Sequence, residues 1–124
     1  MTGKLILVVD DDPDLRVALG EILTDAGYEV GSAADGRQAL EILRSGPKPD
    51  LILLDLMMPV MNGWQFLAQR GKDPQLARIP VVAISAVGAF VQQVEPIEAA
   101  AFLRKPVALG DLLETVARFT RGAA

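Results

Sequence analysis

The chain has 124 residues, the size of one compact domain with a single hydrophobic core, and 51% of them are hydrophobic. With a mean hydropathy of +0.32 it buries enough apolar surface to offset its ordering entropy, which excludes disorder. A formal net charge of −4 leaves no basic stripe for direct nucleic-acid binding, and the lack of cysteine and histidine excludes disulfides, thiolate catalysis and zinc sites of the usual kind.

The N-terminal MTGKLILVVDDD has too short an apolar run for a secretory signal, and no stretch is long enough to span a membrane. A cytoplasmic protein without membrane contact is expected, folded as one domain over 1–124. Leu5-Ile6-Leu7-Val8-Val9 reads as a strand buried on both faces. Asp12-Pro13 starts a helix, with a carboxylate cap and proline at the first position. Leu15, Leu19, Ile22 and Leu23 share one face of it, and Gly27 ends it. Residues 28–33 form a weaker second strand. Asp35 caps a helix that carries Leu40, Ile42 and Leu43 and stops near Gly46. Leu51-Ile52-Leu53-Leu54 is the third strand. Trp64, Phe66 and Leu67 belong to a shorter helix after Asn62-Gly63, and their spacing indicates packing, not a ligand site. Val81-Val82-Ala83-Ile84 and Ala101-Phe102-Leu103 are the fourth and fifth strands, and the last helix carries Leu109, Leu112, Leu113 and Val116. Strands alternate with helices without repeats or linkers, which predicts an α/β, doubly wound parallel sheet with helices on both faces.

Four of the five strands lead into polar residues of reactive type: Asp10 and Asp11, then Asp55, then Ser85, then Lys105. An open parallel sheet binds ligands outside the carboxyl ends of its strands, so these residues converge if the first and third strands are neighbours. Three clustered carboxylates repel by roughly 4 kcal/mol per pair at about 4 Å and an effective dielectric near 20. A hard cation relieves this, and oxygen-only ligands suit Mg²⁺. A lysine, a hydroxyl and Mg²⁺ around one aspartate can stabilise a transferring phosphoryl group, which makes Asp55 the natural acceptor. Taken singly, each residue has a plainer reading. Asp12 is fully explained as a cap, Asp55 alone would be a strand-end turn residue, and Lys105 alone a surface lysine. It is their joint order that favours a site.

The segments LILVVDDDPDLR (5–16), PDLILLDLMMPVMNG (49–63), IPVVAISA (79–86) and FLRKP (102–106) resemble the receiver domain of two-component response regulators. The resemblance spans essentially the whole chain. It implies a flavodoxin-like fold with a five-stranded sheet of order 2-1-3-4-5. It also implies that Asp55 is phosphorylated and that Asp10 and Asp11 form the acidic pair, Asp11 being the more direct Mg²⁺ ligand. Met57 would add its backbone carbonyl to the metal. Ser85 would be the switch hydroxyl, Lys105 the partner of the phosphoryl group, Lys105-Pro106 a cis bond, and Phe102 the aromatic switch residue. A histidine kinase or a His-containing phosphotransfer protein would be the donor, since this chain has no histidine, and an unknown downstream protein the target. The protein would be no enzyme beyond catalysing its own phosphorylation and dephosphorylation, and a monomer or a phosphorylation-dependent dimer. It would be a stand-alone receiver or one excised from a larger regulator. The alternative is a phosphorylation-independent interaction module. An aspartate-nucleophile phosphatase fits less well, because Met57 stands where such enzymes usually carry a second acid.

Two features depart from the family pattern. The segment from Ser85 to Lys105 is about two residues short and contains Gly88, Pro96 and Glu98, which predicts a short or frayed helix over about 89–94. Met57 and Val87, two residues after the acceptor and after the switch serine, are both apolar, which predicts slow loss of the phosphoryl group.

Overall fold

The computed structural model describes residues 4–85 and 99–120. The helix expected over 89–94 and Val87 lie outside them. Five parallel strands, β1 (Leu5–Val9), β2 (Glu29–Ala33), β3 (Leu51–Asp55), β4 (Val81–Ser85) and β5 (Ala101–Arg104), form one sheet of order β2-β1-β3-β4-β5. The connecting elements are α1 (Pro13–Asp25), α2 (Gly36–Ser45), α3 (Gly63–Gly71), the single turn α4 (Pro74–Ala77) and the final α5 (Leu109–Thr120).

Alternation along the strands divides the core in two. Ile6, Val8, Leu51, Leu53, Val82 and Ile84 pack with Leu19 and Leu23 of α1 and Leu112 and Val116 of α5. Leu7, Val9, Ile52, Leu54, Val81 and Ala83 face the other way, onto Ala39, Leu40 and Leu43 of α2 and Phe66 and Leu67 of α3. The central strands are buried on both faces, so they read as continuous apolar runs. Edge strand β2 is only partly covered, which explains its weaker pattern and its start at Glu29, one residue later than expected.

The helix starts follow local chemistry. Asp12 accepts from the backbone N–H groups of Asp14 (2.9 Å) and Leu15 (3.3 Å), with Pro13 opening α1. Gly27, at φ 100°, takes the chain out of α1 in a conformation that other residues rarely adopt. Asp35 caps α2 through Gln38 N–H at 2.9 Å. Asn62 and Gln65 form a reciprocal capping box at the start of α3. Gly63 is required for another reason: a Cβ there would lie 2.6 Å from Leu56 Cα. That close approach lets Gly63 N–H donate to the Leu56 carbonyl (3.0 Å) and fold the β3–α3 loop over the end of β3.

Candidate functional site

The order of the sheet puts β1 and β3 side by side, with Val9 opposite Leu54. The next residues along each strand are Asp10 and Asp55. Asp10 N–H donates to the Ala33 carbonyl (3.1 Å), which carries the β1–β2 ladder one residue past the strand and seats Asp10 in the sheet edge at 2% exposure. Asp55 is the last residue of β3, not a residue after it, and is 3% exposed. Asp11 stands in solvent at the mouth. One carboxylate oxygen from each of Asp10, Asp11 and Asp55 falls within 4.8 Å of the others.

Lys105 reaches this cluster from the end of β5. Its backbone N–H donates to the Ser85 carbonyl (3.0 Å), and the Lys105-Pro106 bond is cis, as the resemblance implied. Its Nζ lies 3.1 Å from Asp10 Oδ2 and 3.4 Å from Asp55 Oδ2. Asp55 Oδ1 accepts the Met57 N–H at 3.1 Å. Burial pushes the Asp55 carboxyl up to about 6. The Met57 N–H opposes this, the Asp10 charge adds to it, and Lys105 offsets part of it. Burial alone would pull the Lys105 ammonium down, yet its hydrogen bond and attraction to Asp10, with those to Asp55, hold it above the ordinary lysine value.

Ser85 ends β4, one position past the Asp55–Ile84 pair, so it borders the same edge. Its Oγ is fully buried and has no hydrogen-bond partner among the described residues. A buried hydroxyl left unpaired is rare, and its donor suits an anionic oxygen arriving in the pocket. Phe102 pairs with Ala83 in the β4–β5 ladder and is 48% exposed. Met57 contributes its N–H here, and its side chain is turned out to solvent. The structure thus brings Asp10, Asp11, Asp55, Ser85 and Lys105 to one sheet edge. It adds Arg16, which sequence reasoning passed over: its Nη1 donates to the Asp10 carbonyl at 2.7 Å. An arginine one helical turn past the Asp12 cap carried the signal, because that spacing turns its side chain back towards the β1–α1 turn.

Three carboxylates facing one ammonium leave a deficit of positive charge, and every donor is oxygen. That set fits a hard divalent cation. An acidic cation pocket with a buried aspartate and a lysine, at the carboxyl edge of a sheet of order 2-1-3-4-5, defines a phosphoacceptor module on a flavodoxin-like fold. The chain belongs to the response regulator receiver domain family, whose model matches residues 6–117. It is 36% identical over 122 residues to the chemotaxis protein CheY of Thermotoga maritima, covering 96% of this chain and 99% of that protein. The chemotaxis response regulator CheY4 of Vibrio cholerae superposes with a TM-score of 0.86 at 33% identity, over 95% of this chain and 99% of that one. The receiver domain of the sensor histidine kinase PA1611 from Pseudomonas aeruginosa PAO1 superposes with a TM-score of 0.88 at 25% identity, over 97% and 99%. That domain has a magnesium ion coordinated in its active-site cleft. The chain spans only about half the length of several transcriptional regulators that it also matches. It is a receiver domain of two-component signal transduction, and such domains act as phosphoacceptor switches.

Proposed function

We propose that Asp55 accepts the phosphoryl group, from a phosphohistidine on a histidine kinase or a His-containing phosphotransfer protein. The observation that carries this reading is the Asp55 carboxylate, buried at the edge of the sheet between Lys105 and the acidic pair. In the transfer the phosphorus–nitrogen bond to the donor imidazole breaks as a bond to an Asp55 carboxylate oxygen forms. The imidazole nitrogen keeps the electron pair and can take a proton from solvent. At neutral pH Asp55 is mainly ionised even with its carboxyl pushed up to about 6, so it is ready as a nucleophile.

Asp10, Asp11, Asp55 and the Met57 carbonyl are the groups that would hold Mg²⁺. When bound, the ion supplies positive charge against the oxygens of the group in transfer. Lys105 adds a second positive charge and moves from pairing Asp10 and Asp55 to pairing the phosphoryl oxygen. Ser85 Oγ donates to another phosphoryl oxygen, and Phe102 follows it inward, changing the surface offered to a downstream protein. The chain catalyses this phosphorylation, and the later loss of the phosphoryl group to water, on itself alone. Among the described residues no helix is long and apolar enough to cross a membrane, and a cytoplasmic location fits the reading.

Incubation with acetyl phosphate and Mg²⁺ tests it by intact mass. The wild type should gain one phosphoryl group, and neither Asp55→Ala nor Mg²⁺-free wild type should do so. No uptake by the wild type under any condition would leave a phosphorylation-independent interaction module as the reading.

A further inference from the structure

Asp10 is held through every polar group it has, each from a different part of the fold. Its N–H donates to the Ala33 carbonyl of β2 (3.1 Å), Oδ1 accepts the Asp12 N–H (2.9 Å), and Oδ2 faces Lys105 Nζ (3.1 Å). The remaining group is the main-chain carbonyl. Arg16 Nη1 donates to it at 2.7 Å, a short charge-assisted bond from the first turn of α1. This carbonyl belongs to the peptide that joins Asp10 to Asp11. Asp11 is exposed, no hydrogen bond of its side chain is among those described, and its carboxylate oxygen still lies within 4.8 Å of those of Asp10 and Asp55.

We infer that Arg16 is a positioning residue for the cation site: by fixing the Asp10–Asp11 peptide it orients the Asp11 carboxylate and so sets the affinity for the divalent cation. The inference rests on the metal reading of the pocket given above. Its sign can be told apart from plain electrostatics. A guanidinium bonded to the Asp10 carbonyl adds positive charge beside the site and repels an incoming cation, so on charge alone its removal would tighten binding. If it acts by positioning, its removal weakens binding, as loss of a partner that orients a metal ligand does, by roughly tenfold.

The test is Mn²⁺ binding to the full chain, followed by the loss of free-ion electron paramagnetic resonance signal, with Mg²⁺ as competitor. Arg16→Met should bind about tenfold more weakly than wild type. Arg16→Lys, which keeps a charge and a donor, should recover part of the loss. In an Asp11→Asn background Arg16→Met should change the remaining affinity little, because the ligand it orients is gone. In acetyl phosphate reactions the Mg²⁺ concentration for half-maximal rate should rise in Arg16→Met, while the rate at saturating Mg²⁺ is retained. Unchanged or tighter binding by Arg16→Met overturns the inference and leaves the metal site intact. Absence of Mn²⁺ binding by the wild type overturns the metal reading itself. Urea midpoints establish that each variant is folded. If Arg16→Met is not, Arg16→Lys carries the test, with a smaller loss expected and none overturning the idea.

Discussion

A carboxylate at 3% exposure is costly to ionise, and Asp55 is in that position with Asp10 beside it. Its carboxyl rises from 3.8 to about 6 on folding. Between those values the folded chain holds a proton that the unfolded chain has released. Stability therefore falls as pH rises through this window, and above it the full penalty of about 3 kcal/mol applies. Lys105 is also raised, but as a contribution and not a penalty: it stabilises the fold at all pH below its ordinary titration and is lost only as pH climbs through the folded value. Without divalent cations, urea unfolding should show Asp55→Asn more stable than wild type near neutral pH, by about 1–3 kcal/mol because Lys105 loses one partner. The two should converge near pH 4. A wild-type advantage at neutral pH would refute the account. Met57 poses a different question at the same mouth. Its side chain is 59% exposed and apolar, so it has no group to orient an attacking water. The phosphoryl group on Asp55 should persist for minutes or longer, and Met57→Glu should shorten its life severalfold in a decay measured after removal of the phosphodonor. Wild-type decay within seconds would exclude this.

The β3–α3 loop is the element on which the acceptor depends, and it is built under strain. Val60 has φ 66°, a conformation unusual for any residue but glycine and worse for a β-branched one. The Met61 N–H donates to the Pro59 carbonyl (2.7 Å) around it, and the Gly36 N–H ties the Met61 carbonyl to the start of α2 (3.0 Å). Those bonds impose the turn, since the Val60 side chain is 73% exposed and gains little by burial. Val60→Gly should therefore stabilise the protein by roughly 1 kcal/mol, the relief of strain exceeding the added freedom of the unfolded chain. Gly63→Ala should do the reverse. Its Cβ would meet Leu56 backbone at 2.6 Å, so the loop must shift at about 1–3 kcal/mol and take the Met57 N–H off Asp55. Thermal unfolding with acetyl phosphate kinetics checks both; equal stability and rate in Gly63→Ala would count against the role given to this loop. These elements also show what a sequence makes visible. Asp12-Pro13 and Asp35 were legible as caps because their side chains act on N–H groups two or three residues away, whereas Asn62 was legible only as the residue before a helix. The turn Pro74–Ala77 was not, since four residues hold no helical period. Nor was Val60, whose residue type signals a strand. Arg16 escaped notice because its partner is a carbonyl, which every residue has.

At the scale of the whole molecule the site is a property of strand order. Alternation of strand and helix made a parallel sheet legible, and the reactive residues stood out at the strand ends. The order β2-β1-β3-β4-β5 came only with the family resemblance, because apolar runs alone do not say which neighbour a strand takes. That order joins residues from 10 to 105 in one cluster whose mutual repulsion acts against the closed sheet edge. A cation that binds the folded chain and not the unfolded one stabilises it by mass action, about 2.7 kcal/mol at a hundredfold excess over Kd. For a domain of this size that raises Tm on the order of 10 °C. The rise should be logarithmic in Mg²⁺ once the site saturates, and it should be absent with NaCl at equal ionic strength. Asp11→Asn removes an exposed ligand and one charge of the cluster, so its Tm without Mg²⁺ should match or slightly exceed that of the wild type, and it should lose most of the increment with Mg²⁺. Equal increments in wild type and Asp11→Asn would mean that Mg²⁺ acts only by screening the net charge of −4, and the site would lose its claim to the ion.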